Sequence, residues 1–118
     1  MKRILSLVAA LAMVAATFFA VLAYAAPQQS TATKVRVTTK SFKFLLSRRT
    51  APHGKVTFIV TNRDSTRHDF KIAGKKTPLL RKGQTRSFTV TLKRGRYRYI
   101  CTVPGHAAAG MKGIFRAS

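Results

Sequence analysis

The chain has 118 residues, 46% of them hydrophobic, which is enough to form the core of one small domain. Its charge is very one-sided, because 23 Lys and Arg oppose only two acidic residues and give a formal net charge of +21. The single cysteine excludes an internal disulfide, and it also argues against a structural zinc site built from several cysteines.

The N-terminus has the pattern of an export signal. Two basic residues precede an apolar run from Ile4 to Ala26, which only two hydroxyl residues interrupt. Ala23-Tyr-Ala25 matches a small-x-small cleavage site, so we predict a signal peptide over residues 1–25 and a polar linker over 26–33. The run is also long enough to span a bilayer uncut, as a membrane anchor. In both cases we expect the folded domain outside the cytoplasm: periplasmic, on the cell surface or secreted.

Short alternating segments follow, with almost no helical periodicity. Apolar residues recur at every second position in about seven segments, and Gly, Pro or Asn separate most of these. The apolar positions are Val35 and Val37, Phe42 and Phe44, Val56 to Val60, Phe70 and Ile72, Phe88 to Leu92, Tyr97 and Tyr99, and Ile114 with Phe115. Seven to eight short strands predict an all-β fold, a Greek-key β-sandwich over residues 34–118, with no second domain.

The last predicted turn region carries a thiol, an imidazole and a thioether, supplied by Cys101, His106 and Met111. His68, at the start of an alternating run upstream, adds a second imidazole. Two His and one Cys in a plane with a distant Met are the ligands of a blue copper centre. Pro104-Gly105 supplies a turn that can bring the second histidine back toward the thiolate.

Other interpretations explain fewer of these residues. A lone buried cysteine is usually inert, and Cys101 with His106 could also be a nucleophile and its base. Catalysis of that kind would leave His68 and Met111 without a role, so we predict a binding protein and no enzyme. His53, in a Pro-His-Gly turn, is expected to be solvated and is the reserve ligand.

The C-terminal region resembles the ligand loop of the cupredoxins, the small blue copper proteins. The shared pattern is Gly95-x-Tyr97-x-Tyr99-x-Cys101-x-x-Pro104-Gly105-His106, followed by Gly110-Met111-x-Gly113. We expect the last two of these glycines to free the backbone where the loop closes. The segment from Gly54 to Asn62 that leads to His68-Asp69-Phe70 is similar to the family segment that delivers the first histidine. The resemblance covers about Lys34 to Ser118.

This resemblance implies one copper ion per chain and an exported one-electron carrier. It makes His106 the exposed edge of the site, ringed by apolar residues where a partner docks. Asp69 stands where the family often has an amide, and as an anion it should favour Cu(II) and lower the reduction potential. A copper chaperone or buffer outside the cytoplasm would use the same four ligands, and a metal-free cationic interaction module is a third hypothesis.

The basic residues fall largely on the polar positions of the predicted strands. A solvated outer face is the simplest interpretation, but so strong a positive field also attracts anions. We therefore expect an acidic redox partner protein or an anionic envelope surface. Nucleic acid is less favoured, because the aromatic residues alternate inward and because export separates the chain from it. We expect a monomer, with membrane contact through residues 1–25 if these are not cleaved.

Overall fold

The computed structural model describes residues 31–118, which form two β-sheets that pack face to face. The strands are β1 (Thr33–Lys40), β2 (Lys43–Leu46), β3 (Thr50–Ala51), β4 (Gly54–Asn62), β5 (Lys71–Ile72), β6 (Lys75–Lys76), β7 (Thr85–Leu92), β8 (Gly95–Ile100) and β9 (Lys112–Ala117). The predicted all-β sandwich is confirmed. The predicted signal peptide lies outside the described residues.

The two sheets differ in size and in strand order. The first contains four strands in the order β2-β1-β4-β7, and the second contains five in the order β3-β9-β8-β5-β6. The pairs β1–β4 and β3–β9 are parallel, whereas the other pairs are antiparallel. Between residues 31 and 118 no helix is long and apolar enough to cross a membrane.

The core lies between the sheets and is rich in aromatic rings. Phe58 of β4 is fully buried and contacts Phe70 and Phe115 of the other layer, with ring centroids 5.3 Å away in both cases. Burying each such side chain contributes about 1.5–3 kcal/mol to stability. The strict alternation of β4 produces this arrangement, because every second residue from Val56 to Val60 faces inward.

Phe42 departs from the sequence-based prediction, which assigned it to a strand. It lies with Ser41 in the tight turn between β1 and β2, and both residues have positive φ, 53° and 56°. Residues other than glycine rarely adopt this backbone conformation. The amide of Ser41 donates a hydrogen bond of 2.9 Å to Asp64 Oδ1, a partner 23 residues away that alternation alone does not reveal.

Two further strands, β3 and β6, were not predicted. Each has only two residues, Thr50–Ala51 and Lys75–Lys76, so neither is long enough to show an alternating pattern. They form the two edges of the five-stranded sheet. Residues 31–118 therefore contain nine strands where seven to eight were expected.

Gly113 serves packing rather than loop closure. It lies inside β9, opposite Tyr99 of β8, and a Cβ at this position would overlap the tyrosine ring and hydroxyl. Tyr99 is only 2% exposed and packs against Phe44 and Phe70, so it has little room to move aside. The expectation that this glycine frees the backbone was wrong, because its role depends on a side chain in the neighbouring strand.

Replacing Gly113 by Ala should therefore destabilise the fold by about 1–3 kcal/mol, the usual cost of overpacking a core. Urea unfolding followed by fluorescence or circular dichroism measures this loss. In a Tyr99→Leu background the same glycine substitution should cost much less, since the clashing ring is gone. An equal cost in both backgrounds would contradict the packing role.

Candidate metal centre

Three of the four predicted ligands meet at one end of the sandwich. The donor atoms of His68, Cys101 and His106 all lie within 4.8 Å of one another. His68 Nδ1 is 3.0 Å from His106 Nδ1, which in turn is 3.6 Å from Cys101 Sγ. His68 and Cys101 are buried, whereas His106 is partly exposed. Residues 38 positions apart in the chain thus form one cluster.

The position of His68 is fixed by a backbone bridge outside the main strands. Its N–H donates to the carbonyl of Leu80 at 3.3 Å, and its carbonyl accepts from the N–H of Leu80 at 2.8 Å. This bridge ties the segment after β4 to the segment before β7. Both backbone polar groups of the histidine are therefore hydrogen-bonded, although the residue belongs to neither sheet.

Asn62, the last residue of β4, organises the turn that leads to His68. Its amide nitrogen donates to the carbonyls of Thr66 and Leu80 at 2.9 and 2.7 Å. Its oxygen accepts from Thr39 Oγ1 at 2.5 Å and from the N–H of Asp64 at 2.9 Å. The side chain is fully buried and uses both its donors and its acceptor. From the sequence, this residue was recognised as the start of a break between strands and as part of the family resemblance, but not for these hydrogen bonds.

A tight turn brings His106 back toward Cys101, as predicted. The His106 N–H donates to the carbonyl of Val103 at 3.0 Å, and Gly105 has a φ of +82°. Proline at the second position and a positive-φ glycine at the third are typical of a type II turn. Pro104 and Gly105 supply both.

Met111 closes the same loop through its backbone. Its N–H donates to the carbonyl of His106 at 3.1 Å, and its carbonyl accepts from the N–H of Cys101 at 3.1 Å. Its side chain is fully buried. Gly110 just before it has a φ of +121°, so this glycine does free the backbone at the point of closure.

Asp64 is a functional residue that the sequence analysis missed. Its Oδ2 lies 2.9 Å from His68 Nε2, and because a carboxylate only accepts, Nε2 carries the hydrogen and Nδ1 keeps its lone pair toward the cluster. Burial acts to raise the pKa of Asp64, but hydrogen bonds from the Ser41 amide and from His68 outweigh it and hold the pKa below its usual value. The sequence did offer one signal for this role, since Asp64 is an acidic residue four positions before a candidate ligand and could orient it.

Asp69 lies against the residue that follows the cysteine. Its carboxylate accepts hydrogen bonds from the N–H of Thr102, at 2.6 Å, and from the Thr102 hydroxyl. Burial raises the pKa of the Cys101 thiol, and hydrogen bonds from the backbone N–H groups of Asp69 and Val103 partly offset this effect. Those N–H groups would stabilise a thiolate. The expected influence of Asp69 on a reduction potential stays a prediction.

The ring of Phe42 covers the two histidines. It meets His106 edge-on at 5.0 Å and His68 edge-on at 5.6 Å, and it is 39% exposed. Burial and the neighbouring His68 lower the pKa of His106. This imidazole therefore sits at the boundary between the cluster and solvent, beside exposed apolar residues of its own loop, Pro104 and Ala108.

His53 is not part of the cluster. Its Nδ1 lies 2.9 Å from the carbonyl of Ser118, and its backbone N–H also donates to that carbonyl. The end of β9, next to Ser118, pairs with the start of β8. Cys101 lies beyond the other end of β8. The reserve ligand is thus at the opposite end of the sheet.

The donor set fits copper better than zinc. Two imidazole nitrogens and one thiol sulfur converge, and a thioether lies at the end of the same loop. This is the ligand combination of a type 1 copper site, whereas structural zinc sites close their tetrahedron with more Cys and His.

Comparison with known proteins agrees with this geometry. The model of the cupredoxin-like domain family matches residues 9–111. The fold is similar to reduced auracyanin from Roseiflexus castenholzii, with a TM-score of 0.65 and 21% identity over 74% of this chain and 98% of that one. Auracyanin A, a blue copper protein from Chloroflexus aurantiacus, has a TM-score of 0.62 and 20% identity, over 75% of this chain and 100% of that one. Reduced rusticyanin has a TM-score of 0.61 and 22% identity, over 72% of this chain and 78% of that one.

At these identities the similarity to solved structures shows the fold alone. A comparison with curated proteins gave no match. The family match nevertheless extends over most of the sequence, from the N-terminal region to Met111 at the end of the ligand loop. The chain therefore belongs to the family of cupredoxin-like domains.

Proposed function

We propose that this protein is an exported one-electron carrier. It would bind one copper ion through His68, Cys101 and His106, with Met111 as a fourth, weaker ligand. The observation that supports this most strongly is the convergence of three donor atoms within 4.8 Å. Bound copper would supply a one-electron couple between Cu(II) and Cu(I), through which the protein would pass one electron from a reduced partner to an oxidised one.

The chain's own contacts suit such a cycle, because they hold the ligand residues through bonds within the protein. Asp64 and the bridge to Leu80 hold His68, and the backbone of Met111 holds both Cys101 and His106. Donors that are fixed in this way need little rearrangement when the metal changes its charge. Small rearrangement favours fast electron exchange.

Burial of the donors favours a carrier over a copper chaperone. His68, Cys101 and Met111 are each at most 1% exposed, so an incoming protein could not readily replace them as ligands. His106 is the exception. Its partly exposed ring, bordered by Phe42 and Pro104, offers a short route for an electron without opening the site.

The extracytoplasmic location is part of this proposal and is supported by the sequence. The apolar run from Ile4 to Ala26 and the Ala23-Tyr-Ala25 motif are typical of an exported precursor. The lone cysteine is consistent with it, since metal ligation gives that thiol a use.

The copper-loaded protein should show intense blue or green absorption that disappears on reduction and returns on oxidation, with one copper per chain. Cys101→Ser should abolish this absorption and leave the sandwich folded, because only one small side chain changes. Met111→Gln serves as the matched control, which should keep a shifted band. A band that survives Cys101→Ser, or a colourless protein that binds zinc as tightly as copper, would refute the assignment.

Asp64→Asn should lower copper affinity by about 10- to 100-fold, the usual effect of removing a partner that orients a metal ligand. The amide keeps the shape of the side chain but offers a weaker acceptor to His68 Nε2. Competition with a chelator of known affinity measures the change. Ser65→Ala, at an exposed neighbouring position, should have no effect, and unchanged affinity in Asp64→Asn would contradict the role of the carboxylate.

Asp69→Asn should raise the reduction potential, because an anion near the metal favours Cu(II) over Cu(I). The amide oxygen can still accept from the N–H of Thr102, so the loop should keep its shape. Redox titration of the visible band measures the shift. Lys55→Gln, at the distant end of β4, is the control for a general charge effect, and equal and opposite shifts in the two variants would rule out a local influence of Asp69.

A further inference from the structure

The basic residues on the surface of the sandwich lack acidic side-chain partners. The whole chain has two acidic residues, and both lie at the metal centre, where Asp64 bonds His68 and Asp69 bonds Thr102. Within residues 31–118, neither carboxylate forms a salt bridge with a lysine or an arginine, and Asp64 instead contacts His68 Nε2 at 2.9 Å. The positive charges on the outer faces are therefore compensated only by solvent and dissolved ions.

One sheet surface concentrates these charges, and we call it the basic face. It is the outward side of the five-stranded sheet, and its members are Lys71, Lys76, Arg96, Arg98, Ile100, Lys112, Ile114 and Arg116. The strand register places Arg96 directly opposite Arg116, and Lys71 opposite Lys76. Like charges directly opposite each other destabilise a sheet.

Strands β4 and β7 of the other sheet show that a solvent-facing surface does not require such pairs. The outward side of β4 and β7 is largely hydroxylic, with Thr57, Thr61, Thr85, Ser87, Thr89 and Thr91. Thr57 bonds Thr89 at 2.7 Å, and Thr61 bonds Thr85 at 2.8 Å. The four-stranded sheet has one facing pair of cations, Lys40 with Lys43 at the turn between β1 and β2, whereas the basic face has two.

Two aliphatic side chains lie among the cations of the basic face. Ile114 is 46% exposed and is paired across the strands with Arg98, while Ile100 lies between Lys71 and Lys112. Arg98, Lys112 and Ile114 border one shallow hollow. None of the members is aromatic, so the face lacks the rings on which the bases of a single-stranded nucleic acid usually stack.

We propose that the basic face binds the surface of a bilayer that contains anionic phospholipid. A flat sheet can bring several cations to the headgroups at once, and each is attracted to an anionic membrane. Ile100 and Ile114 can enter the interface between those headgroups. This combination of cations and aliphatic groups fits a lipid surface better than a purely ionic partner.

Such binding would set the orientation of the metal centre. Ile100 directly precedes Cys101, and Lys112 directly follows Met111, so the ligand loop begins and ends at one edge of the basic face. A sandwich that lies on this face would hold His106 near the membrane plane, within reach of a membrane-bound redox partner. Only this last consequence rests on the proposed electron-carrier function.

Vesicles test the proposal with the full chain. Binding is measured by co-sedimentation with phosphatidylcholine vesicles and with vesicles that also contain phosphatidylglycerol, and the readout is the excess on the anionic vesicles. The apolar N-terminus should contribute equally to binding of both kinds of vesicle, so the difference between them measures the contribution of the charged surface. We expect a clear excess that falls as salt rises, because salt screens exposed charges.

The location of the charge is tested by two double variants with the same change in net charge. Arg96→Glu with Arg116→Glu, on the basic face, should reduce the excess about tenfold or more. Arg36→Glu with Lys55→Glu, on the four-stranded sheet, should reduce it much less. Ile114→Ser should also weaken vesicle binding. Equal losses in the two double variants would overturn the proposal in favour of a nonspecific effect of net charge.

Polyglutamate distinguishes a lipid surface from an acidic protein. If the basic-face variant lost binding to polyglutamate but kept its binding to anionic vesicles, an acidic protein surface would replace the membrane as the partner. Visible absorption of the same copper-loaded samples separates this proposal from the proposed function. A colourless protein that still binds anionic vesicles would support the membrane-binding proposal and refute the proposed electron-carrier function. A blue protein that does not bind those vesicles would support the electron-carrier function and refute membrane binding.

Discussion

The hydrogen bond between His68 Nε2 and the Asp64 carboxylate connects the candidate metal centre to the turn between β1 and β2. It fixes which ring nitrogen of the histidine faces Cys101 and His106. The other oxygen of the same carboxylate accepts from Ser41, whose turn carries Phe42 over both imidazoles. Backbone conformations that are rare for such residues are thus stabilised by the same group that orients a ligand, as often happens at functional sites.

The two acidic residues lie near the candidate metal centre, whereas most of the basic residues lie far from it, and the two groups should therefore have different electrostatic effects. The high net positive charge of the chain would favour a lower charge on a bound metal, whereas Asp64 and Asp69 would favour the higher one. Exposed charges more than about 10 Å away are screened at moderate ionic strength, while the two carboxylates lie beside ligands or their neighbours. The local anions should therefore dominate at the site, and the distant cations should act mainly on partners.

Strand β8 shows how one short segment serves the core, the site and the surface. Its residues alternate so that Tyr97 and Tyr99 point inward while Arg96 and Arg98 point outward, and Cys101 continues the inward series. A shift of one residue in its register would exchange the two faces. Correct pairing with β9, secured where Tyr99 fits over Gly113, is therefore a condition for both the thiol position and the basic face.

The sequence by itself determined the features that depend on local patterns. Alternation predicted the sandwich, and the spacing of Cys101, His106 and Met111 predicted a closed loop, because each depends on residues close together in the chain. The tertiary structure alone decided what depends on distant partners. Asp64, Asn62 and Phe42 act through contacts with groups made adjacent by folding, and Gly113 is needed because Tyr99 lies in the next strand. Likewise, alternation showed that the basic residues face outward, but only the order of the strands places them together on one sheet.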